Sequence, residues 1–367
     1  MLRILISGGG TGGHIFPALS IADCFRRRFP DCEILFVGAD NRMEMERVPA
    51  AGYDIVGLPV AGFDRKHLWR NFSVLVKLWK SMRMARKIVR EFRPDIAIGV
   101  GGYASGPTLK AAQRARVPTL LQEQNSYPGV TNKMLAAGAG AICVAYPGLE
   151  RFFPADKIVM TGNPVRKSLF DITETPAEAK RTMGFDPEKP LVLVVGGSLG
   201  AHTLNEAMIE AVQSGKVVKA DFQLMWQCGK REAAMCEGVV DIAKPKNLKV
   251  SAFISDMARA YRAADLVVAR AGAGTISELE LLGKPVILVP SPNVAEDHQR
   301  HNALALTERG AAIMVLDKDA SKDLWDQIEI VISNPETLRL LSENILKLAL
   351  PDSDDKIVDA ALRLMGR

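Results

Sequence analysis

The chain has 367 residues, of which 48% are hydrophobic and 24% are charged, and its net charge is +5. This length favours two domains, and this composition is typical of a globular protein. No apolar run approaches the roughly 18 residues of a membrane-spanning helix, and glycines interrupt the first apolar run, which argues against a signal peptide. The five cysteines and five histidines lack metal-ligand spacing, so we expect reduced thiols in a cytoplasm and no metal.

The chain opens on a strand, a glycine-rich turn and a helix. Residues 2–6 form a short apolar run, residues 8–13 include five glycines, and residues 15–29 have the pattern of a helix. In this arrangement the backbone N–H groups of the turn and the N-terminus of the helix face an anionic ligand. Glycines permit the positive φ angles and the close ligand approach that a Cβ would block.

Further strands and helices alternate along the first half, which indicates a parallel, doubly wound sheet. The strand, glycine turn and helix return at residues 191–212, so we expect an α/β fold of two Rossmann-like domains facing one cleft. Gly and Pro at residues 162–164 mark a boundary. The predicted division is 1–163, 164–350 and a last segment, 351–367, whose short helix at 356–365 could pack back on the first domain.

Residues 8–13 match the G-x-G-x-x-G dinucleotide fingerprint. An NAD site also needs an acidic residue at the end of the second strand, but here that strand runs into Gly and Ala, and Asp40 comes late. A P-loop is excluded, because His14 stands where its lysine would be. The first glycine turn therefore points to an anionic ligand other than these two.

Residues 196–200, Gly-Gly-Ser-Leu-Gly, fit the nucleophile elbow of α/β-hydrolases. A serine hydrolase that uses Ser198, with His298 as its base, is therefore an alternative. That interpretation leaves the first glycine turn unexplained. Ser198 can instead bind a phosphate or cap its helix.

A third glycine element, residues 270–278, follows the apolar strand 266–269. A helix starts just past its glycines, where Thr275 or Ser277 could cap it, and Glu278 is expected in the first turn. There Glu278 either complements the helix dipole or accepts both hydroxyls of a ribose whose phosphates lie at the helix N-terminus. Three such elements at strand ends predict a site for a phosphorylated nucleotide.

Eight short motifs stand out between residues 2 and 303: Gly8-Gly-Gly-Thr-Gly-Gly-His14, Glu123-Gln-Asn125, Thr131-Asn-Lys133, Gly162-Asn-Pro-Val-Arg166, Gly196-Gly-Ser198, Ala252-Phe-Ile254, Ala273-Gly-Thr-Ile-Ser-Glu278 and Asp297-His-Gln299. In this order they resemble those of the bacterial N-acetylglucosaminyltransferases that make lipid II of peptidoglycan, a family of inverting GT-B glycosyltransferases. The resemblance implies transfer of N-acetylglucosamine from UDP-N-acetylglucosamine to the muramyl 4-hydroxyl of lipid I, the undecaprenyl-diphosphate-linked muramyl pentapeptide.

The resemblance also implies a set of substrate-binding residues, carried over motif by motif: Thr11, Gly12, Gly13, Asn125, Arg166, Ser198, Ile254, Ala273, Gly274, Thr275, Ile276, Ser277, Glu278 and Gln299. Among them, Glu278 is expected on the ribose, and Asn125 and Gln299 on the sugar. Residues 11–13 are expected to line the catalytic side of the cleft. Leu199 departs from the Gln that the family often has there, which puts one side-chain contact in doubt but not the backbone cradle.

In such a reaction the acceptor hydroxyl attacks the anomeric carbon from the face opposite UDP, which needs a base and stabilisation of the leaving diphosphate. His14 is the candidate catalytic base, and a helix cap or an acceptor-orienting role are the alternatives. Arg166 and the helix near Gly274 could stabilise the leaving group in place of a metal. The Asp-x-Asp sequences at 317–319 and 352–354 are predicted to be solvated turns, so we expect no catalytic metal and no cofactor.

Residues 64–93 contain ten Lys or Arg and two acidic residues, a local charge of +8 that leaves −3 for the rest of the chain. One apolar stripe at helical spacing is enough to pack a helix on a sheet. A second stripe lies among basic residues and suits an anionic membrane surface. The predicted membrane-associating residues are Trp69, Phe72, Leu75, Lys77, Trp79, Lys80, Met82 and Arg83.

A core helix with a solvated basic face is the alternative for this segment, and nucleic acid is not expected because no recognition motif accompanies the charge. The sequence thus predicts a peripheral glycosyltransferase at the cytoplasmic face of the inner membrane, acting in peptidoglycan synthesis and hence in cell shape and division. A serine hydrolase and a sugar-nucleotide-binding module without turnover stay open as alternatives.

Overall fold

The computed structural model describes residues 1–61, 71–197 and 200–367, without the side chains of residues 71–73. The chain divides into two compact units. The N-terminal unit comprises Met1–Val165 together with Leu350–Arg367, and the C-terminal unit comprises Arg166–Ala349. The N-terminal unit is therefore discontinuous in sequence.

Seven strands form the sheet of the N-terminal unit: β1 (Arg3–Ser7), β2 (Glu33–Ala39), β3 (Asp54–Leu58), β4 (Ile96–Gly99), β5 (Thr119–Glu123), β6 (Ala141–Val144) and β7 (Ile158–Met160). All pair in parallel, in the order β3-β2-β1-β4-β5-β6-β7. The connecting helices are α1 (Gly12–Arg28), α2 (Glu44–Ala50), α3 (Asn71–Phe92), α4 (Ser105–Arg114) and α5 (Val130–Leu135).

Successive residues of β1 point to opposite faces of this sheet, as the period of a strand requires. Ile4 and Ile6 are fully buried on the face that carries α1, where they share a cluster with Phe25. Leu5 is fully buried on the other face, in a cluster with Leu109 of α4. Both faces are covered, which is why the strand reads as a continuous apolar run.

Six strands form the sheet of the C-terminal unit: β8 (Leu191–Val195), β9 (Gln223–Gln227), β10 (Leu248–Ser251), β11 (Leu266–Ala269), β12 (Val286–Leu288) and β13 (Ile313–Met314). These strands are also parallel, in the order β10-β9-β8-β11-β12-β13. The helices are α6 (Pro176–Thr182), α7 (His202–Gln213), α8 (Lys216–Lys219), α9 (Ala233–Ala243), α10 (Met257–Ala263), α11 (Ala273–Leu282), α12 (His298–Thr307), α13 (Ala320–Ile332) and α14 (Pro335–Leu346).

A last helix, α15 (Ser353–Leu364), belongs to the N-terminal unit and packs on α1. Its Ile357 is fully buried in the same cluster as Phe25 of α1. At the surface, Arg28 Nη1 of α1 lies 2.7 Å from the Asp359 carboxylate of α15. Apolar burial at the centre of this contact and ion pairs at its edge attach the helix to the sheet.

Because Ile357 lies at the centre of this contact, we expect Ile357→Ala to destabilise the N-terminal unit by about 2–5 kcal/mol, the usual effect of such a truncation in a core. Thermal unfolding of the full chain measures the loss. Asp359→Ala is the matched control on the same helix, because an exposed ion pair contributes about 0–1 kcal/mol. Equal melting temperatures for the two variants would contradict the assignment of α15 to this core.

Candidate functional site

The strand order of each sheet reverses beside its first strand, between β1 and β4 and between β8 and β11. Ligands of doubly wound sheets bind outside the carboxyl ends of the strands at such a reversal. In the N-terminal unit, the turns at this point are residues 8–11 and 100–104. In the C-terminal unit, they are residues 196–201 and 270–272. The predicted glycine elements thus occupy the switch point of each sheet.

The helices after these turns begin about three residues earlier than the apolar pattern predicted. α1 begins at Gly12 rather than at residue 15, and α7 begins at residue 202 rather than 205. In α11 the N-cap is Gly272, so Thr275 and Ser277 lie inside the helix, and the prediction that one of them caps it is wrong. The first turns contain glycines in α1 and α11 and polar residues in α7, and apolar periodicity does not register either.

The turn after β1 lies close against the turn after β4, in part through backbone atoms. At Gly102 (φ +87°) a Cβ would lie 2.4 Å from the Gly9 carbonyl oxygen, and at Gly101 (φ +95°) it would lie 2.9 Å from the His14 ring. At Gly10, in contrast, a Cβ would meet nothing within 4 Å. Two glycines are therefore required by the packing of the turns, while Gly10 leaves its backbone open to a ligand.

His14 lies in the first turn of α1, where its Nδ1 is 3.0 Å from the Gly9 carbonyl oxygen and 3.3 Å from Thr11 Oγ1. A carbonyl only accepts hydrogen bonds, so Nδ1 carries the proton of the neutral ring and Nε2 carries the basic lone pair. A cap would accept from a backbone N–H instead, and Thr11 occupies the N-cap position. This contact favours the tautomer with the proton on Nδ1, and His14 does not occupy the N-cap position.

Asn125, predicted to contact the sugar, lies in the loop between β5 and α5. Its backbone N and its Nδ2 donate to Glu123 Oε1 at 3.1 and 3.3 Å. The buried Glu123 carboxylate also accepts from Gly129 N at 3.2 Å and from Asn132 Nδ2 at 2.9 Å. Burial raises the pKa of Glu123, and these hydrogen bonds oppose the shift. Glu123 therefore holds the loop that carries Asn125, a role that its motif did not reveal.

Glu278 is the sixth residue of α11, so it lies in the second turn of that helix. The prediction that Glu278 lies in the first turn is wrong. Helix dipole effects are confined to the terminal turn. Glu278 Oε1 accepts a hydrogen bond from Arg166 Nη2, and Glu278 Oε2 accepts one from the Tyr261 hydroxyl, both at 3.1 Å. Burial raises the pKa of Glu278 and Arg166 opposes that shift. Tyr261, on α10, is a partner that the sequence did not indicate.

The turn after β8 also packs through its backbone. At Gly200 (φ +79°) a Cβ would lie 2.1 Å from the Cys228 carbonyl oxygen, so only glycine lets this turn reach the end of β9. Ser198, predicted to bind UDP, and Leu199 lie outside the described residues.

A glutamine that the sequence analysis missed joins this turn to the predicted UDP-binding residue Ile254. Gln227 Nε2 donates to the Gly197 carbonyl at 2.8 Å, and Gln227 Oε1 accepts from Ile254 N at 3.1 Å. Gln227 is buried at the end of β9. Through its two amide atoms it sets the spacing between the turn and the loop after β10.

Gln299 is the second residue of α12, and its Oε1 accepts from Ser291 N at 2.9 Å. The two residues just before this helix, Glu296 and Asp297, have φ of +55° and +48°. Non-glycine residues in this region carry strain that the surrounding structure must hold, and such strain is concentrated at functional sites. The strained turn fixes where α12, and with it Gln299, begins.

Asp317 is not in a solvated turn, and that prediction is wrong for this residue. Arg270, the first residue of the third glycine element, donates to the Asp317 carboxylate and to the Val289 carbonyl, the latter at 3.0 Å. Thr203 Oγ1 of α7 donates to Asp317 Oδ2 at 3.1 Å. The carboxylate is paired and only 19% exposed, so it holds two of the glycine elements in place.

Within the described residues, one group of three metal-type donors lies close together: Cys24, Asp354 and Asp355. Asp354 is buried, so the predicted solvated turn is wrong here too. Arg27 Nη2 lies 3.0 Å from Asp355 and 3.6 Å from Asp354. Burial raises the pKa of the Cys24 thiol to about 12. The arginine already balances these carboxylates, and the thiol stays protonated at neutral pH.

Comparison with known proteins identifies the family. Models of the glycosyltransferase family 28 N-terminal and C-terminal domains match residues 4–144 and 191–357. The UDP-N-acetylglucosamine--N-acetylmuramyl-(pentapeptide) pyrophosphoryl-undecaprenol N-acetylglucosamine transferase of Parabacteroides distasonis is 57% identical over 365 residues, covering 100% of this chain and 99% of that protein. The chain belongs to this transferase family. The Bacteroides fragilis protein of the same name is 58% identical over 364 residues, covering 99% of this chain and 96% of that protein.

Solved structures support the same assignment. The crystal structure of Acinetobacter baumannii MurG is 28% identical in sequence to this chain and gives a TM-score of 0.80. The match covers 99% of this chain and 100% of the MurG chain. A UDP-GlcNAc 2-epimerase from Neisseria meningitidis, solved bound to UDP-GlcNAc, gives a TM-score of 0.67 at 13% identity, covering 99% and 100% of the two chains, and so shows the fold alone. The predicted GT-B class with two Rossmann-like parallel sheets is confirmed.

Family membership also confirms the predicted enzyme class, an N-acetylglucosamine transferase of the glycosyltransferase type. Nothing supports the alternative of a serine hydrolase. The histidine proposed as its base, His298, has its Nδ1 2.7 Å from the Ala295 carbonyl oxygen rather than against a carboxylate.

The contacts of Glu278 generate a prediction for the transferase. Loss of a hydrogen bond to a charged group costs about 1.5–3 kcal/mol, so Glu278→Ala should weaken UDP binding roughly ten- to a hundredfold, measured by calorimetry. Asp326→Ala, which removes an exposed carboxylate of the same unit paired with Lys216, is the control and should leave UDP affinity unchanged. An unaltered dissociation constant for Glu278→Ala would mean that this carboxylate serves only its contacts with Arg166 and Tyr261.

Proposed function

We propose that this enzyme transfers N-acetylglucosamine from UDP-N-acetylglucosamine to the muramyl 4-hydroxyl of lipid I, with inversion at the anomeric carbon, yielding lipid II and UDP. The observation that carries this proposal is the identity of 57–58%, over 99–100% of the chain, with transferases whose names state the donor and the undecaprenol-linked acceptor. The reaction places the enzyme in peptidoglycan synthesis, and through it in cell shape and division.

We assign the donor to the C-terminal unit. Arg166 and Tyr261 orient the Glu278 carboxylate from two sides, which prepares it to accept the two ribose hydroxyls. The first turn of α11, residues 273–276, offers backbone N–H groups to the diphosphate. Arg166 has five N–H donors and uses one of them on Glu278, so it can also stabilise the departing UDP. In this proposal the donor site is completed by Ser198, Ile254, Ser277 and Gln299.

We assign the acceptor chemistry to the N-terminal unit. His14 holds its proton on Nδ1 against the Gly9 carbonyl, so Nε2 can take the proton of the attacking hydroxyl. Residues 11–13 combine the N-cap of α1 with two glycines that leave the backbone approachable, which suits the acceptor side of the reaction. Asn125, held by Glu123, contributes a polar side chain that suits the sugar.

Release of UDP on addition of lipid I, followed in a coupled assay, tests the reaction directly. UDP release that requires both UDP-N-acetylglucosamine and lipid I is the expected result. Binding of the donor without UDP release would instead make the protein a sugar-nucleotide-binding module.

If His14 is the base, His14→Ala should lower kcat about 10²–10⁴-fold, the usual contribution of general base catalysis. The affinity for UDP-N-acetylglucosamine should stay within a few-fold of wild type, because the base acts on the acceptor. Kinetics with varied donor concentration separate these effects. His202→Ala, which removes an exposed imidazole bound to Glu232, is the matched control. A comparable fall in donor affinity for His14→Ala would place the ring in the donor site instead.

We also propose that α3 attaches the enzyme to an anionic membrane, at the cytoplasmic face of the inner membrane. Leu75 and Trp79 are 53% and 65% exposed, and the Arg83 guanidinium lies 5.9 Å from the centre of the Trp79 ring. Exposed aromatic and aliphatic side chains among cations suit a lipid interface. No described helix has the length and hydropathy to span a bilayer.

Other features of α3 add to this proposal. Val74, Ala85 and Val89 are buried, so one stripe of the helix packs in the core and the exposed stripe is distinct from it. Further along, a groove of about 470 Å³ is lined by four arginines, of which Arg114 comes from α4 and the others are Arg86, Arg90 and Arg93.

Of the predicted membrane residues, Trp69 and the Phe72 side chain lie outside the described residues, and Met82 is half-buried.

Reversal of Lys77, Lys80 and Arg83 to Glu should weaken binding to anionic liposomes at least about a hundredfold, since each such cation contributes about 1 kcal/mol. Co-sedimentation at rising salt measures this, and wild-type binding should itself fall as salt screens the charges. Reversal of three exposed lysines in the C-terminal unit, Lys219, Lys246 and Lys322, is the control. Equal binding of the two triple variants would restore the alternative of a core helix with a solvated basic face.

A further inference from the structure

Glu44, the first residue of α2, places a buried carboxylate directly beneath the first glycine turn. The residue is 1% exposed. Gly10 N donates to its two oxygens at 3.1 and 3.0 Å, and Ala39 N, at the end of β2, donates to Oε1 at 3.0 Å. Among the described residues, no Lys, Arg or His nitrogen lies within ion-pairing distance of it. Backbone N–H groups therefore compensate this buried charge.

Two glycines make room for this side chain. At Gly9 (φ +150°) a Cβ would lie 2.0 Å from Glu44 Oε1, and at Gly38 it would lie 2.5 Å from Glu44 Cγ. No larger residue fits at either position while the carboxylate is in place. The glycine pattern of the turn thus serves this carboxylate as well as the approach of a ligand.

The hydrogen bonds of Glu44 and of His14 meet on one peptide group. Gly10 N–H, which donates to Glu44, and the Gly9 carbonyl, which accepts from His14 Nδ1, are the two polar ends of the same planar unit. A carboxylate on the N–H end fixes the orientation of the plane and polarises its carbonyl toward the imidazole. The direction of that carbonyl then decides which ring nitrogen of His14 carries the proton.

We propose that Glu44 is the positioning residue for His14, acting through the Gly9–Gly10 peptide to hold the ring in its orientation and with its proton on Nδ1. Glu44 itself touches no substrate in this proposal. The inference rests on the proposed role of His14 as the base of the transfer reaction, and it adds a residue that acts on this base from the far side of the glycine turn.

The test is steady-state kinetics of Glu44→Gln and Glu44→Ala in the full-length enzyme, with UDP-N-acetylglucosamine and lipid I. Misplacement of a reacting group by about 1 Å can cost roughly a hundredfold, so kcat should fall about 10- to 100-fold while the donor KM stays within about twofold. Because Gln keeps one acceptor oxygen, kcat should fall less in Glu44→Gln than in Glu44→Ala. Tyr53→Phe, which breaks a partly buried 2.6 Å hydrogen bond to Asp23 in the same unit, is the control for lost stability.

A second measurement does not depend on turnover. Imidazole ¹⁵N NMR, with the His14 signals identified by their loss in His14→Ala, should show the proton on Nδ1 in wild type and Tyr53→Phe. Glu44→Ala should give a mixture of the two tautomers. Gly9→Ala, whose Cβ would collide with the carboxylate, should give the same mixture although Glu44 is present.

Two results would overturn the inference: a kcat for Glu44→Gln equal to that of Tyr53→Phe, or an unchanged His14 tautomer in Glu44→Ala. Failure of the wild-type enzyme to release UDP with lipid I would count against the proposed function instead, and the tautomer measurement would still decide whether Glu44 orients the ring.

Discussion

At the carboxyl ends of β1 and β4, two turns approach so closely that backbone lies against backbone at Gly9 and Gly102. A single Cβ at Gly102 would push the turns apart by more than the contact tolerates, and the His14 ring fills the space beside Gly101. The C-terminal unit repeats this at Gly200, against the carbonyl of Cys228. The position of each candidate site therefore depends on the absence of side chains where the strand order reverses.

Turns made of glycine gain little rigidity from side-chain packing, so in both units polar side chains from neighbouring elements hold them. Gln227 bonds to the turn after β8, Arg270 and Asp317 connect two elements of the C-terminal unit, and Glu123 gathers the loop after β5. Each is fully or largely withdrawn from water and bonded to backbone or to an opposite charge. Such groups are costly to bury without partners, which makes these contacts specific for one arrangement of the turns.

The sequence predicted the features that are local. β1, its glycine turn and the alternation of strands and helices follow from apolar runs and glycine spacing within a few residues. Strand order did not follow, because parallel pairing joins residues far apart in the chain, such as Ile4 with Ile96. The three-residue β7 was missed because its run is short and half-exposed.

The same difference between local and long-range features applies to the candidate site. The motifs indicated the candidate ligand-binding residues, Glu278 and His14 among them, but not the residues that support them. Tyr261 lies 17 residues from Glu278, and Gln227 lies 30 residues from the turn it holds. Asp317 was placed in a solvated turn because its partner, Arg270, is 47 residues away. Only the tertiary structure brings such pairs together.

The return of α15 to the first sheet has a consequence for biosynthesis. The C-terminal unit is inserted between Val165 and Leu350, so it is synthesised in full before α15, and the face of the first sheet that α15 covers stays incomplete until then. Domains generally fold as units in the order in which they emerge. Here the half synthesised first is finished last, and until residues 353–364 have been translated an apolar surface centred on Ile4 and Phe25 stays open to chaperones and to aggregation.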